Sequence, residues 1–214
     1  MSVPTTILGT DGLPRCRWCA IVPEFEVYHD CEWGFPVADD VRLFEKLCLE
    51  GFQSGLSWRT ILTKRENFRR AFRNFDFHQL AQFGETQVSQ LLLDEGIVRH
   101  RGKIEAVINN AKCAVRLHAE YGSLAAYFWQ YEARRAATAL PQTISIPPQA
   151  TGLSKDLKKR GWKFIGPTTV YAFMQAMGLV NDHVAACVIA KRVDQAREAF
   201  TVPGRTLQSF GRRA

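Results

Sequence analysis

The sequence predicts an all-α fold in one compact unit. Three observations predict it: apolar residues recur at three- and four-residue spacing over long stretches, strand-like alternation is scarce, and neither an internal repeat nor a clean linker interrupts the chain. With 214 residues, 46% of them apolar, there is material for one substantial core, or for two lobes sharing one.

Residues 1–14 carry Thr, Gly and Pro without periodicity and read as a loose, flexible arm. Residues 16–36 are dense in aromatic and metal-binding types but show no regular period, so an ordered wrap held by contacts is expected. Asp39 and Asp40 open a helix with Val41, Phe44, Leu47, Cys48 and Gly51 on one side, and Glu50 falls at the border of that face, an unusual place for a carboxylate. After the Gln53-Ser54-Gly55 break a second helix runs from Leu56 towards Phe72. Further helical patterns follow over 76–83, 85–94, 102–121 and 123–137, and Pro141, Pro147 and Pro148 mark a connecting loop. Residues 153–160, 161–166 and 167–177 then read as helix, short hairpin, helix, with Pro167 suited to a first helical turn. A last helix starts near Asp182, taken as its N-cap. From Lys191 onward six Lys/Arg face two acids, a basic tail over 191–214 that leaves 15–190 as the single functional domain.

The first residues lack a charged start followed by an apolar run, and no stretch of eighteen apolar residues occurs, so secretion and membrane insertion are not supported and a cytoplasmic location is expected. In a reducing compartment six cysteines and five histidines read as metal ligands and small core residues, with Cys48 and Cys113 assigned to the core. The net charge of +7 and pI near 9.3 favour a polyanionic partner.

His183 and Cys187 are four residues apart, so on a helix they share one face and can close on a single atom. Their partners must come from the other end of the chain, where Cys16, Cys19, His29 and Cys31 cluster; two Cys/His pairs would make a tetrahedral zinc site stapling the N-terminal arm to the C-terminal helix. Spacing alone leaves the set open, since Cys16-x-x-Cys19 is itself a familiar pairing. The hairpin Phe164-Ile165-Gly166-Pro167-Thr168-Thr169 exposes backbone N–H groups at a helix start and lies among Lys155, Lys158, Lys159, Arg160 and Lys163. The run Gly96 to Lys103, with Arg99, Arg101 and Lys103, repeats the theme, and two such loops suit a DNA backbone.

The runs Arg15-Cys16-Arg17-Trp18, Tyr28 to Gly34, Cys48-Leu49-Glu50-Gly51, Gly55-Leu56-Ser57-Trp58, Arg99 to Ile104 and Gly178 to Val184 closely resemble the bacterial DNA-3-methyladenine glycosylase I family, in one order from about residue 14 to 190. The resemblance implies a helix-hairpin-helix glycosylase of base-excision repair that frees 3-methyladenine from alkylated DNA; double-stranded DNA as the partner, no membrane partner and a monomer are expected beside it. It also implies one structural zinc, and picks Cys16, His29, His183 and Cys187 as its ligands. Four protein ligands leave no position for an activated water. By the same resemblance Glu50 faces the flipped base, Trp58 stacks on it and Tyr28 hydrogen-bonds to it, while Trp18 and Trp33 belong to the pocket or to packing around the zinc. Phe25 stands where the family often has tyrosine. A base alkylated at N3 is cationic in DNA, and a carboxylate among electron-rich rings is the complement of a cation.

Leu56, at a tight turn, is the candidate wedge for the gap left by the base, and Arg99, Arg101, Lys103, Lys163, Gly166 and Thr168 are the candidate DNA contacts. Bifunctional helix-hairpin-helix relatives place a lysine just after the hairpin glycine; here Gly166-Pro167-Thr168-Thr169 offers threonine, so a monofunctional enzyme without strand-cleaving lyase activity is expected. Two rivals remain, a zinc-stapled DNA-binding module without catalysis and a zinc hydrolase acting elsewhere.

Overall fold

The computed structural model describes residues 5–133 and 146–204. The arm expected to be loose is paired: β1 (Thr6–Leu8) and β2 (Pro14–Cys16) form an antiparallel ladder with Thr6 opposite Cys16 and Leu8 opposite Pro14. Its closure is ionic, so apolar alternation gave no sign of it. The buried guanidinium of Arg15 bonds Asp11 within the hairpin and Asp30 beyond it, at 2.7–3.2 Å.

The wrap expected to lack regular structure holds a helical turn at Arg17–Ile21 and helix α1 (Pro23–Cys31). Pro23 presets the first helical φ, and Glu24 and Glu26 meet the positive end of the dipole. The face that α1 buries is Phe25, Tyr28 and His29, too mixed in polarity to register as an apolar stripe.

Helix α2 (Asp40–Gln53) forms as expected, its start fixed by Asp39, whose carboxylate accepts from the Arg42 N–H at 2.8 Å. The single helix expected over 56–72 is two, α3 (Trp58–Thr63) and α4 (Arg65–Ala71). They part at Lys64, whose ammonium reaches across to the carbonyls of Glu95 and Gly96. Next come α5 (Phe77–Leu80), one turn within the expected 76–83, then α6 (Glu85–Leu93) and the long α7 (Arg101–Tyr121), which His100 caps by accepting from the Lys103 N–H. The helix expected over 123–137 is α8 (Leu124–Phe128) followed by a turn at Trp129–Tyr131; its remainder and the loop around Pro141 lie outside the described residues. Helix α9 (Pro148–Lys159) begins earlier than the expected Leu153 because Pro148 occupies its first position, and α10 (Pro167–Ala176) falls as expected.

The last helix, α11 (Val188–Ala199), starts at Val188 rather than Asp182. Asp182 does not cap it: its carboxylate accepts from Tyr171 and from Gln175 on α10, while Asn181 Oδ1 accepts from the His183 N–H. Beyond residue 190, Val193 is fully buried and Arg197 pairs with Glu132, so α11 is packed to near its end.

Helix α10 packs on α9 and α2, and α7 packs on α5, α6 and α2. Rings of Phe44, Phe52, Phe68, Phe72, Phe128, Phe173 and Trp129 fill the centre, each contributing about 1.5–3 kcal/mol of burial free energy. A second apolar cluster, Cys16, Val184, Cys187, Ile189 and Val193, joins the two chain ends. The hairpin between α9 and α10 is clamped from α7, where buried Asn110 donates to the Lys163 carbonyl (2.9 Å) and accepts its N–H (2.8 Å). Gly178, at φ +77, lets the chain cross the backbone of Phe35 and Pro36, which a Cβ would strike at 2.5 Å. Among the described residues no helix is long and apolar enough to cross a membrane.

Candidate active site and metal-binding cluster

The chain ends meet at Cys16, His29, His183 and Cys187, all buried, with their ligand atoms within 4.8 Å of one another. Separations of 3.1 Å (His29 Nε2 to His183 Nδ1), 3.6 Å (Cys187 Sγ to each imidazole) and 3.7 Å (Cys16 Sγ to His183 Nδ1) approach the roughly 3.3–3.8 Å edges of a tetrahedron with bonds of about 2.0–2.3 Å. Both rings are pre-aimed: His29 Nδ1 sits 2.6 Å from Asp30 Oδ1 and His183 Nε2 3.1 Å from the Trp33 carbonyl, so each N–H points outward and each bare nitrogen points in. Hydrogen bonding with Cys16, and after it with the imidazoles, favours the thiolate of Cys187, the form that binds a cation. The donor set therefore fits a metal ion. One expectation is corrected: His183 and Cys187 do not share a helical face, because 183–187 is a turn closed by Cys187 N–H to the Val184 carbonyl, with Cys187 just ahead of α11. Cys19 is fully buried but stands outside the group.

Beside this cluster opens a cavity of about 310 Å³ lined by Trp18, Tyr28, Trp33, Glu50, Gln53, Trp58, Ala172 and Gln175. All five aromatic and acidic residues expected at the base pocket are thus on one wall system. Tyr28 and Trp58 lie 5.3 Å apart and tilted, and Trp18 stands edge-on to Trp33 at 5.1 Å. Trp18 and Trp33 serve both places, since Trp18 also packs on His29 and Trp33 on His183 at 4.6 Å. The cluster consequently fixes the far wall of the cavity. Burial, and after it the charge of Glu50, pushes the Tyr28 hydroxyl well above its ordinary value, so it keeps its proton and can donate.

Glu50 is 6% exposed, and its Oε1 lies 2.7 Å from the ammonium of Lys46, one helical turn earlier on α2. That ammonium rests 3.4 Å over the Trp58 ring and has no aligned hydrogen-bond acceptor. Burial lowers the Lys46 pKa against the opposing pull of Glu50. Lys46 does not line the main cavity; it borders a small one on which Tyr28 and Trp58 also abut, beside Arg42, Arg65 and Arg69. Sequence reasoning passed over Lys46, Gln53 and Gln175. The i,i+4 spacing from Glu50 was the available signal for Lys46; the two glutamines gave none.

The candidate DNA contacts divide. Leu56 is 41% exposed on a turn made by Gly55 (φ +79), between the cavity residues Gln53 and Trp58. Lys163 and Thr168 are exposed on either side of Gly166, the N-cap of α10, which has no side-chain cap, so its first N–H groups face outward. Arg99 and Arg101 are exposed but carry acid partners, Glu95 for the first and Glu85 and Glu105 for the second. Lys103 differs: it is buried and donates to the carbonyls of Phe52 (2.8 Å) and Ser54 (2.5 Å), so it holds the Leu56 turn instead of facing a phosphate.

A helix-hairpin-helix whose second helix starts without a side-chain cap, next to an aromatic cavity containing a carboxylate, is suited to holding a base extruded from a nucleic acid. The family model described as methyladenine glycosylase matches residues 18–191, and the chain belongs to that family. It is 45% identical over 179 residues to DNA-3-methyladenine glycosylase 1 of Escherichia coli (strain K12), covering 82% of this chain and 96% of that protein. It is 42% identical over 177 residues to DNA-3-methyladenine glycosylase of Haemophilus influenzae, covering 81% and 96%. Among solved structures, 3-methyladenine DNA glycosylase I from Staphylococcus aureus, determined for its recognition of 3-methyladenine, superposes with a TM-score of 0.75 at 36% identity, covering 82% of this chain and 96% of that one.

Proposed function

We propose that this chain hydrolyses the N-glycosidic bond of 3-methyladenine in double-stranded alkylated DNA and leaves the strand intact. The observation that carries the reading is the cavity in which Glu50 lies among Tyr28, Trp58, Trp18 and Trp33. A flipped cationic base stacks on Trp58, takes a hydrogen bond from Tyr28 and is held by the Glu50 carboxylate, while Leu56 fills the gap in the duplex. The alkylated base is already a good leaving group. As its C1′–N9 bond breaks, the electron pair stays on the base and cancels its charge, a water oxygen bonds C1′, and the water proton goes to solvent. Selective binding of the extruded cation therefore supplies much of the catalysis, with no acid needed for departure.

We assign the Cys16, His29, His183 and Cys187 cluster to a single structural zinc, since two thiolates and two imidazoles are its usual donors and fill its coordination. Its chemistry is a cross-link between the N-terminal hairpin and the entry to α11. The α10 start at Gly166 and Thr168, with Lys163, takes a phosphate, and Arg99 and Arg101 reach the backbone by exchanging their carboxylate partners for it. The catalytic unit, expected over 15–190, also takes in the packed remainder of α11 to Ala199, and acts as a cytoplasmic monomer.

Hydrolysis without lyase chemistry has a direct test. Methylated DNA treated with the protein should break only after hot alkali, and borohydride added during turnover should trap no protein–DNA adduct, because Thr168 and Thr169 cannot form an imine. A trapped adduct would overturn the monofunctional reading and turn attention to Lys163.

A further inference from the structure

We propose that Gln175 reads the base edge in this cavity and that Asp182 is the residue that positions it. The inference rests on the glycosylase reading above. Gln175 lines the cavity with Glu50, and its side-chain amide is tied at 2.7 Å to Oδ2 of Asp182, which is 2% exposed and does not line the cavity. A carboxylate only accepts, so the atom facing it is the amide nitrogen, and the orientation of this glutamine is settled by chemistry. Tyr171 donates to the same carboxylate oxygen, which holds Asp182 in place from a neighbouring turn of α10. With one amide N–H committed to Asp182, the acceptor that Gln175 has left for a base in the cavity is its carbonyl oxygen, and we assign it that role.

Two acceptors then share one pocket, the Glu50 carboxylate and the Gln175 Oε1. An exocyclic amine at C6 of a purine carries two N–H donors, whereas the carbonyl at C6 of a guanine carries none and would face acceptor with acceptor. The arrangement selects alkylated adenine over alkylated guanine, and it does so through Asp182, which never touches the base. A glutamate at position 175 would need no such orientation, because both of its oxygens accept.

The experiment measures release of 3-methyladenine and 3-methylguanine from methylated DNA, as kcat/KM for each. Activity of the wild-type protein tests the glycosylase reading; the ratio of the two constants in the variants tests this one. In Asp182→Ala the ratio of adenine to guanine excision should fall about tenfold or more, the worth of one hydrogen bond to a charged partner. Adding Gln175→Glu to that background should restore the ratio. An equal fall for both bases in Asp182→Ala, or a double variant no better than the single, would overturn the proposal. Should Asp182→Ala fail to fold, Gln175→Met, which leaves Asp182 its bond from Tyr171, reads the same ratio: a fall supports the proposal and an unchanged ratio refutes it.

Discussion

A Cys187→Ser protein is expected to be purified without its metal and to melt roughly 10 °C or more below the parent. Cys187 is the ligand whose sulfur lies 3.6 Å from both imidazoles, and serine offers no thiolate to close the set. Structural zinc supplies about 10–16 kcal/mol of apparent binding free energy in small folds, all of it favouring the folded chain. If losing one ligand removes on the order of 4 kcal/mol of this, a chain of this size melts lower by that margin. The loss should be felt at the cavity too, because His183 and His29 brace the rings of Trp33 and Trp18. Metal analysis and a melting curve decide it. Cys19→Ser and Cys31→Ser, altering one cysteine outside the buried group and one at the surface, should keep one metal per chain; full metal content in Cys187→Ser would refute the ligand set.

Glu50→Gln should lower 3-methyladenine excision by about two orders of magnitude, since a charge-assisted contact to a flipped cation is worth roughly 1.5–3 kcal/mol or somewhat more. The structure adds a stability cost that shape alone would not suggest. The substitution strands the buried Lys46 ammonium, and breaking one side of such a pair costs about 3–5 kcal/mol while the other charge remains. Lys46→Met combined with Glu50→Gln removes both charges and should recover most of the melting temperature without recovering activity. A pH dependence follows. Burial already lowers the Lys46 pKa below its ordinary 10.5, so between the folded value and 10.5 the unfolded chain binds more protons and stability rises with pH. In Glu50→Gln the attraction that opposes burial is gone, the window widens downward, and the rise should be steeper. Wild-type excision by the Gln variant would sink the pocket assignment.

The legible parts of the fold were those where one physical pattern acted alone. Helices α2 and α10 carry apolar faces and recognisable starts, Asp39 and Pro167, and α7 carries a long apolar face, although its His100 cap was not read. Helix α1 was missed because its inner face serves a cavity and a metal cluster as well as a core, so Tyr28 and His29 stand where a stripe would need leucines. The start of α11 was misread for a related reason: Asp182 has the chemistry of an N-cap, but tertiary structure commits it to Tyr171 and Gln175. The hairpin at 6–16 rests on the Arg15 ion pairs, and nothing in a one-dimensional pattern marks which acid an arginine will meet. At the site, the resemblance supplied Glu50, Tyr28, Trp58 and the four metal ligands, and the structure gathers them. It also gives Lys103 a scaffold role that a basic loop does not suggest, because only its burial against the Phe52 and Ser54 carbonyls distinguishes it from Arg101.

A cavity that excises a base differs from one that merely binds damaged DNA in what it releases. Incubating the wild-type protein with methylated DNA and separating the soluble products by chromatography tests the difference most directly. The account predicts free 3-methyladenine as the main released base, with release largely lost in Glu50→Gln. Binding of the DNA with no base released would contradict the account and leave a metal-stapled DNA-binding module in its place.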